Sequence, residues 1–374
     1  MHLYLHIPFC RKACHYCDFH FSTNLSQKEL LVKAMAAEIE LQKDYLSNKQ
    51  LSSIYFGGGT PSLLTEKELG TLMNAISTHF TISGSAEITL EANPDDLTTT
   101  ALLNLRKTGV NRLSIGIQTF DDEMLAYLNR THTGADAIEA VKRAQDAGIG
   151  NISLDLIYAL PSDRHDRLRS DIQKMIALEV SHLSAYCLTI EPGTAFGKWV
   201  QTKKMLPVEE EFAAAQFEIT TEELSDAGYE QYEISNFARN DQYSHHNTAY
   251  WQRKPYLGIG PGAHSYNGHS RQFNISNNNQ YLRSLTSGSL PATIEILTPD
   301  DQVNEYLLTS LRTKWGCSLD MLDQLSKGLF QETHRSTIKE LAARGWLQIL
   351  ENTLLLTPSG KLFADRIASD LFIG

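Results

Sequence analysis

At 374 residues, 42% hydrophobic and 21% charged, the chain has the make-up of a globular protein large enough for one barrel-sized domain or two to three smaller ones. A net charge of −11 argues against a protein that coats nucleic-acid phosphates. No signal-like leader precedes "MHLYLHIPFC", and no apolar run approaches the roughly 20 residues of a membrane span, so a cytoplasmic setting is predicted, with room for a peripheral membrane contact.

In chain order, six short β-rich runs read as buried strands: "LYLHI" (3–7), "SIYFG" (53–57), "EITLE" (87–91), "RLSIGIQ" (112–118), "ISLDLI" (152–157) and "HLSAYCL" (182–188). Between them, segments such as "SQKELLVKAMAAEIELQKDYL" and "ADAIEAVKRAQDAG" place apolar residues at helical spacing. Several end in Gly, a helix stop. Repeated strand–helix units predict an α/β protein with a parallel sheet, either a complete or a partial (β/α)6 TIM-type barrel, with an open doubly wound sheet as the competitor. Helix "EEEFAAAQFEITTEELSDAG" closes the array and bounds a first unit at 1–228. Residues 229–297 are polar and rich in Gly and Asn, the character of loops that carry or cover a site. Residues 298–374 turn helical again, and "STIKELAARGWLQILENTLLLTPSGKLFADRIAS" reads as helix, hairpin, helix, a small winged-helix-like unit. It lacks a concentrated basic face, so no nucleic-acid partner is predicted.

Chemistry concentrates at the N-terminus. Cys10, Cys14 and Cys17, three of five cysteines, form Cys-x3-Cys-x2-Cys directly after the first strand. A reducing cytosol disfavours disulfides. Three thiolates around one metal centre leave a coordination position free, which suits an iron–sulfur cluster; zinc completed by His6, His15 or His20 is the alternative. Cys187 and Cys317 stand alone among apolar residues and read as buried structural thiols. Gly57, Gly58 and Gly59 after the second strand let the backbone approach a ligand. Glu91 and Gln118 end the third and fourth strands and Asp155 lies in the fifth, toward the rim where α/β barrels carry their sites. In "HNTAYW", His246 offers an imidazole able to ligate heme iron, and Asn247, Tyr250 and Trp251 accompany it with aromatic surface. A structural segment plugging the barrel mouth is the other reading.

The stretch "CRKACHYCDF", with aromatic Tyr16 before the third cysteine, resembles the signature of the radical S-adenosylmethionine (SAM) superfamily. The resemblance continues through "YFGGGTPS", "LEANPDDL", "RLSIGIQTF", "LNRTH", "ISLDLIYALP" and "LTIEPGT", nearly all of the first 200 residues. It is similar to the branch that holds oxygen-independent coproporphyrinogen III oxidase (HemN) and the heme chaperone HemW. That implies a [4Fe-4S] cluster on Cys10, Cys14 and Cys17, its open iron chelated by SAM. It implies SAM contacts from Tyr4, Tyr16, Gly58, Gly59, Thr60 and Glu91. Gln118, Arg130 and Asp155 match residues that hold a second SAM in the oxidase. It also makes His246 the leading heme ligand, with His245 and His264 as alternates. Two departures separate the chain from the oxidase. Phe19 stands where the oxidase has a fourth cysteine, and only nine residues precede Cys10, where the oxidase has an N-terminal extension. Both match the chaperone. The expectation is therefore a heme chaperone that passes heme from a donor to acceptor hemoproteins, such as those of the respiratory chain, with a low-potential electron donor of the flavodoxin or ferredoxin kind. The alternative is an oxygen-independent coproporphyrinogen III oxidase.

Overall fold

The computed structural model describes residues 1–162 and 164–374. Strands β1 (His2–Ile7), β2 (Gln50–Gly58), β3 (Thr81–Ala92), β4 (Arg112–Gln118), β5 (Asn151–Tyr158) and β6 (His182–Cys187) come first in the chain. They alternate with helices α1 (Lys28–Leu41), α2 (Glu66–His79), α3 (Thr99–Lys107), α4 (Asp122–Tyr127), α5 (Gly134–Asp146) and α6 (Asp166–Ala177). Thr65 with Glu68, and Thr133 with Asp136, form reciprocal capping boxes that start α2 and α5. Helices α7 (Ala195–Gln201) and α8 (Glu210–Asp226) follow β6. The six predicted strands all form and run parallel in sequence order, as the expected α/β partial barrel requires.

The polar tract beyond 229, read as loops from the sequence, is largely structured. It forms β7 (Glu230–Glu233), β8 (Asn236–Ala238), α9 (His245–Trp251), β9 (Tyr256–Ile259), β10 (His264–Tyr266), β11 (Ser270–Asn274), α10 (Asn278–Thr286) and β12 (Ala292–Ile296). Strand β9 lies parallel to β1 on its outer edge, and β10, β11 and β12 continue antiparallel beyond it. On the other side β8 and β7 continue antiparallel from β6. One sheet results, in the order β12-β11-β10-β9-β1-β2-β3-β4-β5-β6-β8-β7.

Side chains on the parallel strands alternate between two environments, unlike the usual parallel strand with both faces apolar. One row, including Leu3, Leu5, Ile54, Phe56, Leu90, Leu113, Ile152 and Leu183, packs with Met35, Leu72 and Val141 of the helices in the main core. The other row is polar. Register sets His2, Ser53 and Glu87 side by side, and likewise Ser114, Ser153 and His182. The concave face is therefore a polar lumen. Its lower part is filled, with Glu87, Arg112, Ser153, His182 and Ser184 buried, whereas Tyr186, higher on β6, keeps 43% of its surface accessible. The lumen is hollow toward the C-terminal ends of the strands.

The remaining chain comprises α11 (Pro299–Ser310), β13 (Cys317–Ser318), α12 (Leu319–Leu325), α13 (Phe330–Ala343), β14 (Leu347–Leu350), β15 (Thr353–Leu356) and α14 (Ala364–Asp370). The predicted helix, hairpin and helix are α13, β14–β15 and α14. They close a second apolar core around Val303, Leu307, Leu322, Phe330, Leu354 and Ile367. Cys317 is buried in it, as expected, but Cys187 is exposed. The correction has a simple cause: Cys187 is the last residue of β6, where the strand runs out at the open rim and leaves the core. Among the described residues no helix is long and apolar enough to cross a membrane.

Candidate functional site

The cysteine loop leaves β1 at the C-terminal rim and is tied down from several sides. Cys10 N–H donates to the Ser22 carbonyl at 3.1 Å, His15 N–H to that of Leu128 at 3.2 Å, and Phe196 N–H to that of His15 at 2.9 Å. Asn129 Nδ2 donates to the Ala13 carbonyl at 2.8 Å. Tyr16 packs on a small apolar cluster formed by Met124, Leu128, Ile157, Leu160 and Phe196. Thr60 Oγ1 lies 3.4 Å from Cys10 Sγ, and Arg130 Nη1 lies 3.6 Å from Cys14 Sγ. All three cysteines are free thiols and partly buried. Burial, helped by repulsion from neighbouring thiols, pushes Cys17 up to about 11 and moves Cys10 in the same direction. As thiolates they call for an electropositive centre between them. His6, His15 and His20 are engaged elsewhere, with the His20 carbonyl, the Tyr127 carbonyl and Asn278 Oδ1, each at 2.8 Å.

Below the loop, the rim residues gather around the hollow end of the lumen. Gly58 takes φ +108°, and a Cβ there would come within 2.6 Å of the His6 ring, so only glycine fits. A Cβ on Gly59 would stand 2.8 Å from the Ile7 carbonyl oxygen. Glu91 accepts from Tyr55 Oη at 2.8 Å and from Gly58 N–H at 3.0 Å. Asp155 accepts from Ser114 Oγ at 3.2 Å. Burial raises both carboxyls, and with the added charge of Glu91 it takes Asp155 up to about 7. The Arg112 charge offsets this only in part, and among the described residues neither acid forms a salt bridge. Gln118 holds the left-handed φ of +66°, a conformation that concentrates at functional sites. Arg130 bridges the Gly116 carbonyl at 2.6 Å and Asn93 Oδ1 at 2.7 Å, tying β4 to the segment after β3, while its Nη1 reaches Cys14 of the loop. Thr89 Oγ1, Arg112 Nε and Arg130 Nε are buried without a hydrogen-bond partner among the described residues.

The other end of the lumen is closed by α9. Glu87 accepts the backbone N–H groups of His245 and His246, each at 3.1 Å. His246 points inward, with Nδ1 2.8 Å from Ser53 Oγ and its ring 5.0 Å from Tyr55 and 6.3 Å from Tyr4. Burial, with the nearby charges of His2 and Arg112, brings its pKa down to about 3, so the ring is neutral. The rest of "HNTAYW" does not converge with it. Tyr250 is 43% exposed and packs on Tyr256, while Trp251 turns to the C-terminal unit beneath the Arg312 guanidinium, 4.6 Å from its ring. Asn247 lies in the first turn, its amide capped by Ser244 Oγ. The alternates His245 and His264 are exposed. Sequence reading missed His2, Ser53, Glu87 and Arg112, the floor of the lumen. The signal was polar residues at alternate positions of otherwise apolar parallel strands.

Comparison with known proteins agrees with this layout. The profile of the Radical SAM superfamily matches residues 4–174, and that of the HemN C-terminal domain matches 297–363. The heme chaperone HemW of Bacillus subtilis is 35% identical over 97% of each chain. That of Mycobacterium tuberculosis is 34% identical over 99% of this chain and 94% of its own. The solved structure of coproporphyrinogen III oxidase (HemN) from Escherichia coli superposes with a TM-score of 0.84 at 24% identity, covering 99% of this chain and 89% of that one. With a three-cysteine loop, a glycine turn and a polar lumen arranged on that fold, the chain belongs to the HemW family of the radical SAM superfamily.

Proposed function

We propose that this protein is a heme chaperone that carries a [4Fe-4S] cluster and SAM as resident groups and heme as cargo. Cys10, Cys14 and Cys17 are the cluster ligands in this reading, and the residues present fit. Among the described residues, no three His, Cys, Asp or Glu side chains converge on one ion position. Three thiols on one loop, with Thr60 Oγ1 3.4 Å from Cys10 Sγ and Arg130 Nη1 3.6 Å from Cys14 Sγ, suit a cluster held by cysteine thiolates. When bound, the cluster supplies one-electron chemistry to SAM. The protein's part is to hold SAM: Tyr16 and the turn of Gly58, Gly59 and Thr60 shape the rim, and Tyr4, Glu91, Gln118, Arg130 and Asp155 line the lumen below it. Thr89 Oγ1, unpartnered among the described residues, and two buried carboxyls whose pKa stays raised despite Arg112 support a polar, positively charged guest there.

His246 carries the heme half of the proposal. Its Nδ1 is held by Ser53 while, among the described residues, no hydrogen bond engages Nε2, the arrangement of a histidine ready to bind a metal through that nitrogen. Neutrality at ordinary pH completes the requirement. Asn247, Tyr250 and Trp251 then frame the helix that presents it. The HemW relatives support delivery to acceptor hemoproteins; a flavodoxin- or ferredoxin-like reductant for the cluster and the cytoplasm as the setting belong to the same proposal. The division at 228 and 297 belongs to the same proposal, supported at its second boundary by the separate core of the C-terminal unit.

The test loads the cluster-reconstituted protein with heme and mixes it with an apo-hemoprotein under anaerobic conditions. Transfer of the Soret band to the acceptor supports the reading. Turnover of coproporphyrinogen III to protoporphyrinogen with SAM and reductant would replace it with the oxidase.

A further inference from the structure

The floor of the lumen contains a hydrogen-bonded triplet that joins His246 of "HNTAYW" to two residues outside the motifs. Ser53 Oγ lies 2.8 Å from His246 Nδ1 and 2.8 Å from His2 Nδ1, and the two imidazoles meet edge to face with centroids 6.1 Å apart. A serine hydroxyl has a single proton to donate. If it donates to His2, it serves His246 only as an acceptor; His246 then carries its own proton on Nδ1 and leaves the Nε2 lone pair bare. If it donates to His246, that ring's proton sits on Nε2 and the lone pair is spent. The two arrangements exclude each other, so the direction of one hydroxyl decides whether His246 can bind a metal through Nε2.

We infer that Ser53 and His2 are positioning residues for His246: the Ser53 hydroxyl gives its proton to His2 and so holds His246 in the tautomer and ring angle at which Nε2 bonds heme iron. This rests on the reading of His246 as the iron donor. The surroundings leave the triplet little freedom. Ser53 is fully buried in β2, and the His246 backbone is fixed by the Glu87 carboxylate. Tyr55 lies against the His246 ring, limiting its rotation. His2 is in register with Ser53, one strand over, which brings both nitrogens to the same hydroxyl. Partners that orient a metal-binding histidine typically change metal affinity by about 10–100-fold when removed. A serine that merely pins α9 would lack any dependence on His2, which makes His2 the discriminating position.

The experiment uses the full-length, cluster-reconstituted protein, titrated with ferric heme. It is read as a Soret difference spectrum against the heme-free protein, with low-temperature EPR for the axial ligand. Ser53→Ala is expected to weaken heme binding about tenfold and to alter the histidine signature. His2→Phe should do the same, because the hydroxyl proton then turns to His246. His2→Asn places a carbonyl acceptor near the former Nδ1 and should restore affinity to within about threefold. The double variant Ser53→Ala/His2→Phe should be no weaker than Ser53→Ala. If His2→Phe binds heme with wild-type affinity and spectrum while His246→Ala loses the histidine signature, the relay is overturned and the donor assignment stands. If His246→Ala keeps both affinity and signature, the donor assignment falls and takes the relay with it. Should Ser53→Ala fail to fold, His2→Phe and His2→Asn, at a partly exposed position, decide the matter alone.

Discussion

Glu87 Oε1 accepts the backbone N–H of His246 at 3.1 Å, so a carboxylate on the barrel wall fixes the first turn of the helix that closes the barrel. The second oxygen serves His245, and Arg112 Nε stands 3.8 Å away. Glu87→Ala would strand two amides and a buried guanidinium together. We expect a loss of about 3–5 kcal/mol in urea unfolding, with faster hydrogen exchange in α9. Glu87→Gln should cost less because the amide oxygen can still accept. A loss under about 1 kcal/mol for Glu87→Ala would mean that this contact does not seat α9.

We expect Asp155 to make SAM binding depend on pH. Burial and then the charge of Glu91 raise it from 3.8 to about 7 in the folded protein. The acid is neutral in the fold at low pH, so its contribution to stability is greatest below the unfolded value and is lost as pH rises through about 7. A cationic guest offsets that cost by pairing with the carboxylate. SAM affinity, measured by equilibrium dialysis, should therefore rise between about pH 6 and 8 and level off above. Asp155→Asn should bind SAM more weakly and with a flat profile. A flat profile in the wild type would remove Asp155 from the cation site.

Glu38 on α1 bolts the outer strands to the barrel. It is fully buried and accepts from Gly260 N–H at 2.8 Å, from Asn274 Nδ2 at 2.6 Å and from Tyr281 Oη. Burial, only partly offset by these donors, raises it from 4.5 to about 6. Stability should thus fall by about 2 kcal/mol in all as pH rises from well below 4.5 to well above 6, and Glu38→Gln should erase that slope. Glu38→Ala should cost about 3 kcal/mol or more at any pH, since three donors lose their acceptor. Thermal melts across this range check both statements.

Gly58→Ala tests the turn beneath the cysteine loop. Its φ of +108° disfavours any side chain, and the added Cβ meets the His6 ring at 2.6 Å. His6 would be displaced from Tyr4 Oη and from the His20 carbonyl. We expect a stability loss of about 1–3 kcal/mol and SAM affinity lowered by at least tenfold. Wild-type SAM binding in a folded variant would show that the turn does not shape the SAM site.

Much of this was legible in the amino-acid order. The strands "LYLHI" through "HLSAYCL" are spaced by amphipathic helices, and that rhythm alone implies parallel β-α units. Cysteine spacing marked the loop because three thiols within eight positions have few other uses. The floor was harder to see. His2, Ser53, Glu87 and Arg112 are unremarkable polar residues in the sequence, and only the sheet sets the first three side by side and brings the Arg112 side chain, from opposite Thr89, to Glu87. Strands β7 to β12 were hidden because they are three to five residues long and set among Asn and Gly, too short for a period-two pattern to stand out. The "HNTAYW" helix shows the same limit: a motif lists residues that are adjacent in sequence, while His246 and Trp251 face different partners.

The most direct test of the account is EPR of the anaerobically reconstituted, reduced protein, recorded with and without SAM. A reduced [4Fe-4S] signal that changes on SAM addition, and that is lost in Cys10→Ala, Cys14→Ala or Cys17→Ala, is the predicted result. A protein that binds zinc in place of iron, or a cluster whose signal is indifferent to SAM, would contradict it.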